Sequence, residues 1–332
     1  MKSDLWSFFG SCFWRSSLQL ASCLFFVSFL CSSCGDTSAP ECADPSAINF
    51  NADAIGFSDC EFDEHTADPE WLTFLDQAVE ETSGLAIVND RLITHNDRGH
   101  SNELFVVDPE TGLVLNTFEV VGAENEDWED LAQSDEILFV GDMGNNPGDR
   151  KNLRIYMVKK SDFDFGTETG EVTISGLIEF YYPEQEVFEA NNNHNWDCEA
   201  LIYREGYLYL FMKHRKDPLS NLYRIPAEEG SHTAQLLAYF NAGHRITGGD
   251  ISPDGNQIAL VGYNKDDNCV VWLLDGFGDG HPLSGSKRMF TLGSFSALGQ
   301  IEAIVYTNDS TFYISAEEVD GIPPRLYRLE LP

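Results

Sequence analysis

The chain has 332 residues, 42% hydrophobic and 12% aromatic, which suffices for a large core in one or two domains. Acidic side chains number 55 against 20 basic ones, a formal charge of -35. A surface this acidic repels nucleic-acid phosphates and anionic membranes, so no nucleic-acid partner is expected, whereas divalent cations and cationic ligands are compatible with it.

Residues 1–33 read as a signal peptide. Lys2 and Arg15 flank the apolar run Leu18 to Leu30, too short to span a bilayer comfortably. The run ends in Leu30-Cys-Ser-Ser-Cys34-Gly-Asp, whose small residues before Cys34 resemble a bacterial lipobox. That resemblance implies lipidation at Cys34 and an exported protein held at the cell envelope through that lipid alone. A secreted protein with an ordinary cleaved leader is the alternative. Residues 34–41 form a polar tether, and residues 42–62 a small module bracketed by Cys42 and Cys60. In an exported protein that pair is most simply a disulfide. The module resembles a short Cys-bracketed repeat common in exported proteins of the Bacteroidetes type. Cys198 and Cys269 sit in strand-like apolar runs and read as buried thiols.

Residues 68–332 are almost entirely strand text, period-two or fully apolar runs broken by Asp, Asn, Gly and Pro clusters. An isolated run, Trp71 to Leu75, comes first. Four strands are predicted in the first repeat (Leu85–Val88, Arg91–Thr94, Glu103–Val107, Val114–Val120) and four in the second (Asp130–Gln133, Ile137–Gly141, Arg154–Val158, Val172–Phe180). The third (Ala200–Tyr203, Tyr207–Phe211, Leu222–Ile225, Leu236–Phe240) and fourth (Asp250–Ser252, Gln257–Val261, Val270–Leu274, Lys287–Leu292) follow the same plan. The fifth has only three: Ala303–Tyr306, Thr311–Ser315 and Arg325–Leu329. The run at Trp71 supplies the missing strand, because an open blade leaves an unpaired sheet edge. The expectation is all-β: a five-bladed β-propeller, four antiparallel strands per blade, the last blade closed by an N-terminal strand, and a monomer.

A phrase returns in every repeat: Glu81-Thr-Ser-Gly-Leu-Ala, Asp127-Trp-Glu-Asp-Leu-Ala, Asp197-Cys-Glu-Ala-Leu-Ile, Thr247-Gly-Gly-Asp-Ile-Ser and Gln300-Ile-Glu-Ala-Ile-Val. Its third positions, Ser83, Glu129, Glu199, Gly249 and Glu302, are separated by 46, 70, 50 and 53 residues, a spacing that points to a repeat array. If the repeats close in a ring, Ser83, Glu129, Glu199 and Glu302 converge on one axis, with Gly249 leaving a gap for water or for Thr247. Three close carboxylates cannot all stay ionised without a cation. Calcium takes oxygen ligands of this kind, whereas zinc favours nitrogen and sulfur, and no CxxC pair argues for zinc. The plain alternative is that these residues cap turns or pair with Arg and Lys.

The five phrases and their spacing resemble the calcium-activated nucleotidase (apyrase) family, whose axial ligands follow the order Ser, Glu, Glu, Ser, Glu. Ser83, Glu129, Glu199 and Glu302 match four of those positions and Gly249 departs from one. Asn96-Asp-Arg-Gly99 and Gly141-Asp-Met-Gly144 are similar to second-strand phrases of that family, and several phrases also resemble the SdiA-regulated and esterase-like phytase propellers. The resemblance implies an axial Ca2+ and a calcium-dependent phosphoester or phosphoanhydride hydrolase. In that reading Asp97 or Asp142 is the base, Lys213 is a catalytic cation, and Arg98, Arg215, Tyr263 and Glu317 bind substrate. Lys213-His-Arg-Lys216 is one of few basic runs in the chain and reads either as a phosphate grip or as a solvated hairpin turn. The competing reading is a non-catalytic envelope-binding or scaffold propeller with a structural calcium and a small-molecule, glycan or peptide ligand. A lactonase or esterase is a third. Fold alone does not choose among them.

Overall fold

The computed structural model describes residues 42–57, 59–264 and 268–332. The expected leader, the lipidation site Cys34 and the tether lie outside the described residues. Strands dominate. β1 (Asp63–Thr66) and β2 (Glu70–Phe74) precede β3 (Thr82–Val88), β4 (Arg91–Asn96), β5 (Glu103–Val107) and β6 (Val114–Val121). Next come β7 (Trp128–Gln133), β8 (Ile137–Asp142), β9 (Leu153–Lys159) and β10 (Thr169–Tyr181). β11 (Cys198–Arg204), β12 (Tyr207–Met212), β13 (Leu219–Pro226), β14 (Gly230–Thr233) and β15 (Gln235–Asn241) follow. The chain continues with β16 (Arg245–Ile251), β17 (Gln257–Tyr263), β18 (Asn268–Asp275) and β19 (Ser286–Ser294), then β20 (Ile301–Asn308), β21 (Thr311–Ala316) and β22 (Arg325–Glu330). No helix among the described residues is long and apolar enough to cross a membrane.

Consecutive strands pair antiparallel within each repeat. β3 to β6 and β7 to β10 form two such runs, and a parallel pairing of β6 with β10 merges them into one nine-stranded sheet that includes β14. β11, β12, β13 and β15 make a separate four-stranded sheet. β16 to β19 make another, extended by β1, which lies parallel to β19. The run expected to complete the last repeat forms β2, antiparallel to β22 beside β21 and β20. β1 and β14 went unpredicted because their sequences, Asp-Glu-His-Thr and Gly-Ser-His-Thr, carry no apolar alternation; a neighbouring sheet edge makes them strands.

Turn chemistry sets the registers. Asn89 and Asp90 both take positive φ (51° and 62°), as do Glu205 and Gly206 (52° and 80°). Two successive left-handed residues match the twist of a tight hairpin, which fixes Val88 opposite Arg91 and Arg204 opposite Tyr207.

The core is layered between sheets. One apolar cluster joins β3–β6 to β7–β10 through Phe118 and Trp128, and the next joins β7–β10 to β11–β15 through Phe139 and Tyr223. A third, around Phe240 and Trp272, and a fourth, around Phe290 and Phe312, continue the series. A fifth packs Val305 and Leu326 of the last sheet against Leu85 and Phe105 of the first. The first strands of the repeats touch in the same closed cycle: β3 with β7, β7 with β11, β11 with β16, β16 with β20, and β20 with β3.

Asp130 reinforces the centre of that cycle. Its fully buried carboxylate accepts from Leu131 N (2.8 Å), Leu201 N (2.8 Å) and Gly249 N (3.2 Å), tying β7, β11 and β16 together. The Cys42–Cys60 disulfide closes the N-terminal module, which is docked onto the sheet of β16–β19. Phe62 packs edge-on to Trp272, and the buried Lys287 reaches Asp44 Oδ2 at 2.9 Å.

Candidate metal centre

Every first strand carries the same irregularity. The pairing slips between Trp128 and Asp130 in β7, Cys198 and Ala200 in β11, Ile246 and Gly248 in β16, Ile301 and Ala303 in β20, and Thr82 and Leu85 in β3. A bulge leaves a residue unpaired and re-aims its side chain. The residues so placed are Glu129, Glu199, Thr247 and Glu302, with Ser83 inside the β3 slip, and all are buried. In the fourth repeat the phrase alone puts Gly249 at this point, but the strand ladder puts Thr247 there, two residues earlier. Gly249 instead shares the Asp130 carboxylate with Leu201, so it stands at the apolar landmark of the phrase. A Cβ on Gly249 would meet Leu260 Cδ2 at 2.7 Å, away from the other repeats' oxygens.

Ser83 and Thr247 have parallel roles. Ser83 Oγ donates to the carbonyl of Glu129 at 2.6 Å, and Thr247 Oγ1 donates to the carbonyl of Ile301 at 2.8 Å. Each hydroxyl ties its strand to the first strand of the following repeat. Glu199 and Glu302 are also engaged: Lys213 Nζ pairs with Glu199, and Gln300 donates to Glu302. Burial and Lys213 act in opposite senses on Glu302, and its carboxyl is pushed up to about 7.

The carboxylates that come together most closely are not the ring's three as a set: Glu302 is in neither close group, and Asp97, Asp127 and Asp197 join Glu129 and Glu199. Asp97, Asp127 and Glu129 place one oxygen each within 4.8 Å of one another, and Glu129, Asp197 and Glu199 do the same. The two groups share Glu129. Two-residue spacing explains the pairs, since Asp127 and Glu129, like Asp197 and Glu199, flank a fully buried core residue, Trp128 or Cys198. The second group already holds its counterions. Arg215 donates to Asp197 Oδ2 from Nε (2.9 Å) and Nη2 (2.7 Å), Asn145 N donates to Asp197 Oδ1 (2.8 Å), and Lys213 sits on Glu199. Burial opposes ionisation of Asp197, but Lys213 and Arg215 outweigh it and hold the carboxyl below its usual range.

The first group lacks such compensation. Asp127 Oδ1 and Glu129 Oε1 are buried without a hydrogen-bond partner. Burial, then the charges of Asp97 and Asp197, push Asp127 up to about 7, and burial with Glu199, Asp97 and Asp127 pushes Glu129 well above the carboxylate range. Arg98 Nε is 4.0 Å from Asp127 Oδ1, on a side chain 52% exposed. Gly144 makes the arrangement sterically possible: a Cβ there would lie 1.9 Å from Glu129 Oε1 and 2.6 Å from Asp127 Cγ. Unpaired buried oxygens in a glycine-cleared space are what a hard cation requires, and the donor set fits calcium.

The remaining predicted residues divide. Asp142 is fully buried, bound to Arg150 Nη2 (2.9 Å) and Arg154 Nε (2.7 Å), and accepts the N–H of Asp127 at 3.0 Å. That is a structural anchor, closed off from solvent. Lys213 is buried; burial works against its charge, but Glu199, Glu302 and Tyr263 outweigh it and raise its pKa. Its ammonium also lies 5.7 Å from the ring centroid of Tyr263. Glu317 is pushed up to about 9 by burial and by the charges of Glu302, Asp97 and Glu81. Asp97 is raised by burial, against the N–H of Arg98 and the charge of Lys213. A separate cavity of about 880 Å³ lies at the far ends of the first strands, lined by Ile87, Gln133, Tyr203, Asp250 and Tyr306, and none of the predicted site residues reaches it.

No protein-family profile matches the chain, and no curated protein matches it. Among solved structures it is similar to a chain of the mitotic checkpoint complex (12% identity, 75% of this chain and 74% of that one, TM-score 0.39). It is also similar to the Dos1 propeller (16% identity, 77% and 68%, TM-score 0.36). A third is the periplasmic gluconolactonase PpgL of Pseudomonas aeruginosa (11% identity, 76% and 68%, TM-score 0.34). At these scores none of them bears on activity.

Proposed function

We propose that this chain is a five-bladed β-propeller that binds a calcium ion through Asp97, Asp127 and Glu129, exported to the bacterial cell envelope and anchored there through Cys34. The closed cycle of first strands and the five apolar layers support the blade count. The observation that carries the cation is the pair of orphaned buried oxygens, Asp127 Oδ1 and Glu129 Oε1, beside Gly144. The order Ser83, Glu129, Glu199, Thr247, Glu302 supports the nucleotidase resemblance at the fourth position, where the phrase alone departs from it.

The residues favour a binding or scaffold role for the ion. Asp142, Lys213 and Arg215, which a hydrolase would use, are held in buried or half-buried ion pairs, and Glu199 is closed off by Lys213. Bound calcium would supply charge neutralisation to the acidic group and a Lewis-acid centre. The hydrolase reading retains one supporting feature: Arg98 is half exposed next to Asp127, and Asp97 is only partly buried, so both can meet a ligand.

Calcium titration of the purified full chain, followed by calorimetry and thermal melting, tests the cation. A rise in Tm with calcium, absent in Asp127→Asn/Glu129→Gln, is expected, since a ligand that binds only the folded state stabilises it. An unchanged Tm on chelation contradicts the metal centre. Calcium-dependent phosphate release from nucleotides or sugar phosphates, lost in Arg98→Gln, would move the assignment to the hydrolase; silence across that panel keeps it with the scaffold.

A further inference from the structure

The cavity of about 880 Å³ at the far ends of the first strands is built by the same repeated phrase that carries Glu129. Two residues past the apolar landmark of each phrase stand Ile87, Gln133, Tyr203, Ile251 and Tyr306, and all five line the cavity. The fourth of these counts from Gly249, the landmark that the strand ladder assigns. Two-residue spacing keeps a side chain on the same face of its strand, so the five repeats together floor one axial pocket. The floor is held in place: Tyr306 Oη donates to Gln257 Oε1 at 3.1 Å, and the Tyr203 ring stacks on Phe139.

Two opposite charges share this cavity without meeting. Lys160 and Asp250 both line it, and both are half-buried, so each still reaches the open space. Each acts on the other's ionisation, yet they form no ion pair. Among the described residues the Lys160 ammonium has no ion-pair or hydrogen-bond partner. Backbone placement holds the two apart: Asp250 Oδ2 accepts the N–H of Tyr306 (2.8 Å), and the N–H of Lys160 donates to the carbonyl of Glu136 (2.9 Å). Burial lowers the Lys160 pKa against the charges of Asp135 and Asp250, and burial pushes Asp250 up to about 7. Each group thus bears a cost of burial that no close counterion offsets. The other charges of the wall are committed or solvated. Arg204 donates to the carbonyls of Gly278 (2.5 Å) and Gly280 (3.2 Å), and Asp254 accepts from Ser252 Oγ (2.6 Å) and Asn256 N (3.0 Å) in its own turn. Asp135, Glu136 and Glu205 are exposed.

A simple cation would satisfy Asp250 and be repelled by Lys160, and a simple anion would do the reverse. A molecule that carries both charges a few bonds apart answers both. We propose that the cavity binds a small zwitterion of the amino-acid type, with its ammonium on Asp250, its carboxylate on Lys160 and its side chain over the floor at Tyr203 and Ile251. Free α-amino acids and unblocked dipeptides share that chemistry, and the volume lies within the range of small-molecule sites. The site is independent of the calcium reading, because it uses none of Asp97, Asp127 or Glu129.

The test is calorimetric titration of the full chain, near neutral pH and at fixed ionic strength, with alanine, leucine, phenylalanine and alanyl-leucine, each beside its amide and its N-acetyl form. At least one unblocked probe is expected to bind, and whether a free amino acid or the dipeptide binds tighter identifies the source. The amide is only a cation and the N-acetyl form only an anion, so each should bind at least about tenfold more weakly than the unblocked probe. Lys160→Gln should remove the advantage of the unblocked probe over its amide, and Asp250→Asn its advantage over the N-acetyl form. Circular dichroism of both variants should match the parent, since neither side chain holds an ion pair. The proposal is overturned if no unblocked probe binds. Equal affinity for an unblocked probe and its amide, which marks a plain cation site, also overturns it, as does binding that both substitutions leave unchanged.

Discussion

Removing the Asp130 carboxylate should destabilise the whole ring. The group sits where three first strands meet, and its oxygens accept the N–H groups of Leu131, Leu201 and Gly249, on β7, β11 and β16. All three residues are buried. Asp130→Ala strands three donors, and an unmet buried donor costs roughly 1–3 kcal/mol. Part of this is offset, because the parent carboxyl is itself costly: burial raises its pKa well above the usual range despite the three donors. The space left behind also admits water. A net loss of about 3–5 kcal/mol follows, or roughly 5–8 °C in Tm for a domain of this size. Asp130→Asn keeps one acceptor oxygen and should lose only about 1–2 kcal/mol. Urea unfolding followed by circular dichroism, with thermal melts beside it, measures both. If the alanine variant falls within about 1 kcal/mol of the parent, or the asparagine variant is as damaged as the alanine one, the carboxylate is not what binds these strands together.

Gly144→Ala should abolish calcium-dependent stabilisation, because its Cβ would occupy the space of Glu129 Oε1; a calcium response equal to the parent's, by calorimetry, contradicts that geometry. Lys287→Ala leaves Asp44 charged and buried, and should loosen the N-terminal module by about 3–5 kcal/mol. Reduction of Cys42–Cys60 by dithiothreitol should then run at least about tenfold faster, and the Lys287→Met/Asp44→Asn pair should recover much of the loss; an unchanged reduction rate speaks against the anchor. Asp250 gives a pH signature. Burial lifts its carboxyl from 3.8 to about 7, so the folded protein keeps a proton that the unfolded chain has released. Its contribution is therefore most favourable below the unfolded value and is lost as pH rises toward 7. Because Asp250 lines an open cavity, solvent screening limits the loss to about 1–2 kcal/mol. Asp250→Asn should match the parent near pH 4 and melt higher at pH 8; a gap between the two that does not change with pH refutes the assignment.

The sequence determined the strand grammar by itself. Apolar alternation and Asn, Asp and Gly turns are local, and so β3 to β13 and β15 to β22 were legible from the residues, as was the spare run at Trp71. The paired spacing of Asp127 with Glu129 and of Asp197 with Glu199 was equally visible. Tertiary structure decided the rest. The strand bulges chose Thr247 over Gly249, because register belongs to the pairing with β17 and two adjacent glycines leave no side chain to mark it. The fate of each carboxylate was also non-local. Asp142 and Asp197 went to arginines, Glu199 went to a lysine just past the end of the next strand, Asp130 went to the backbone of two other repeats, and Asp127 and Glu129 were each left with an unpaired buried oxygen. Charge counts along a chain cannot make those assignments, because a buried ion's state depends on which partner lies within a few ångströms after folding.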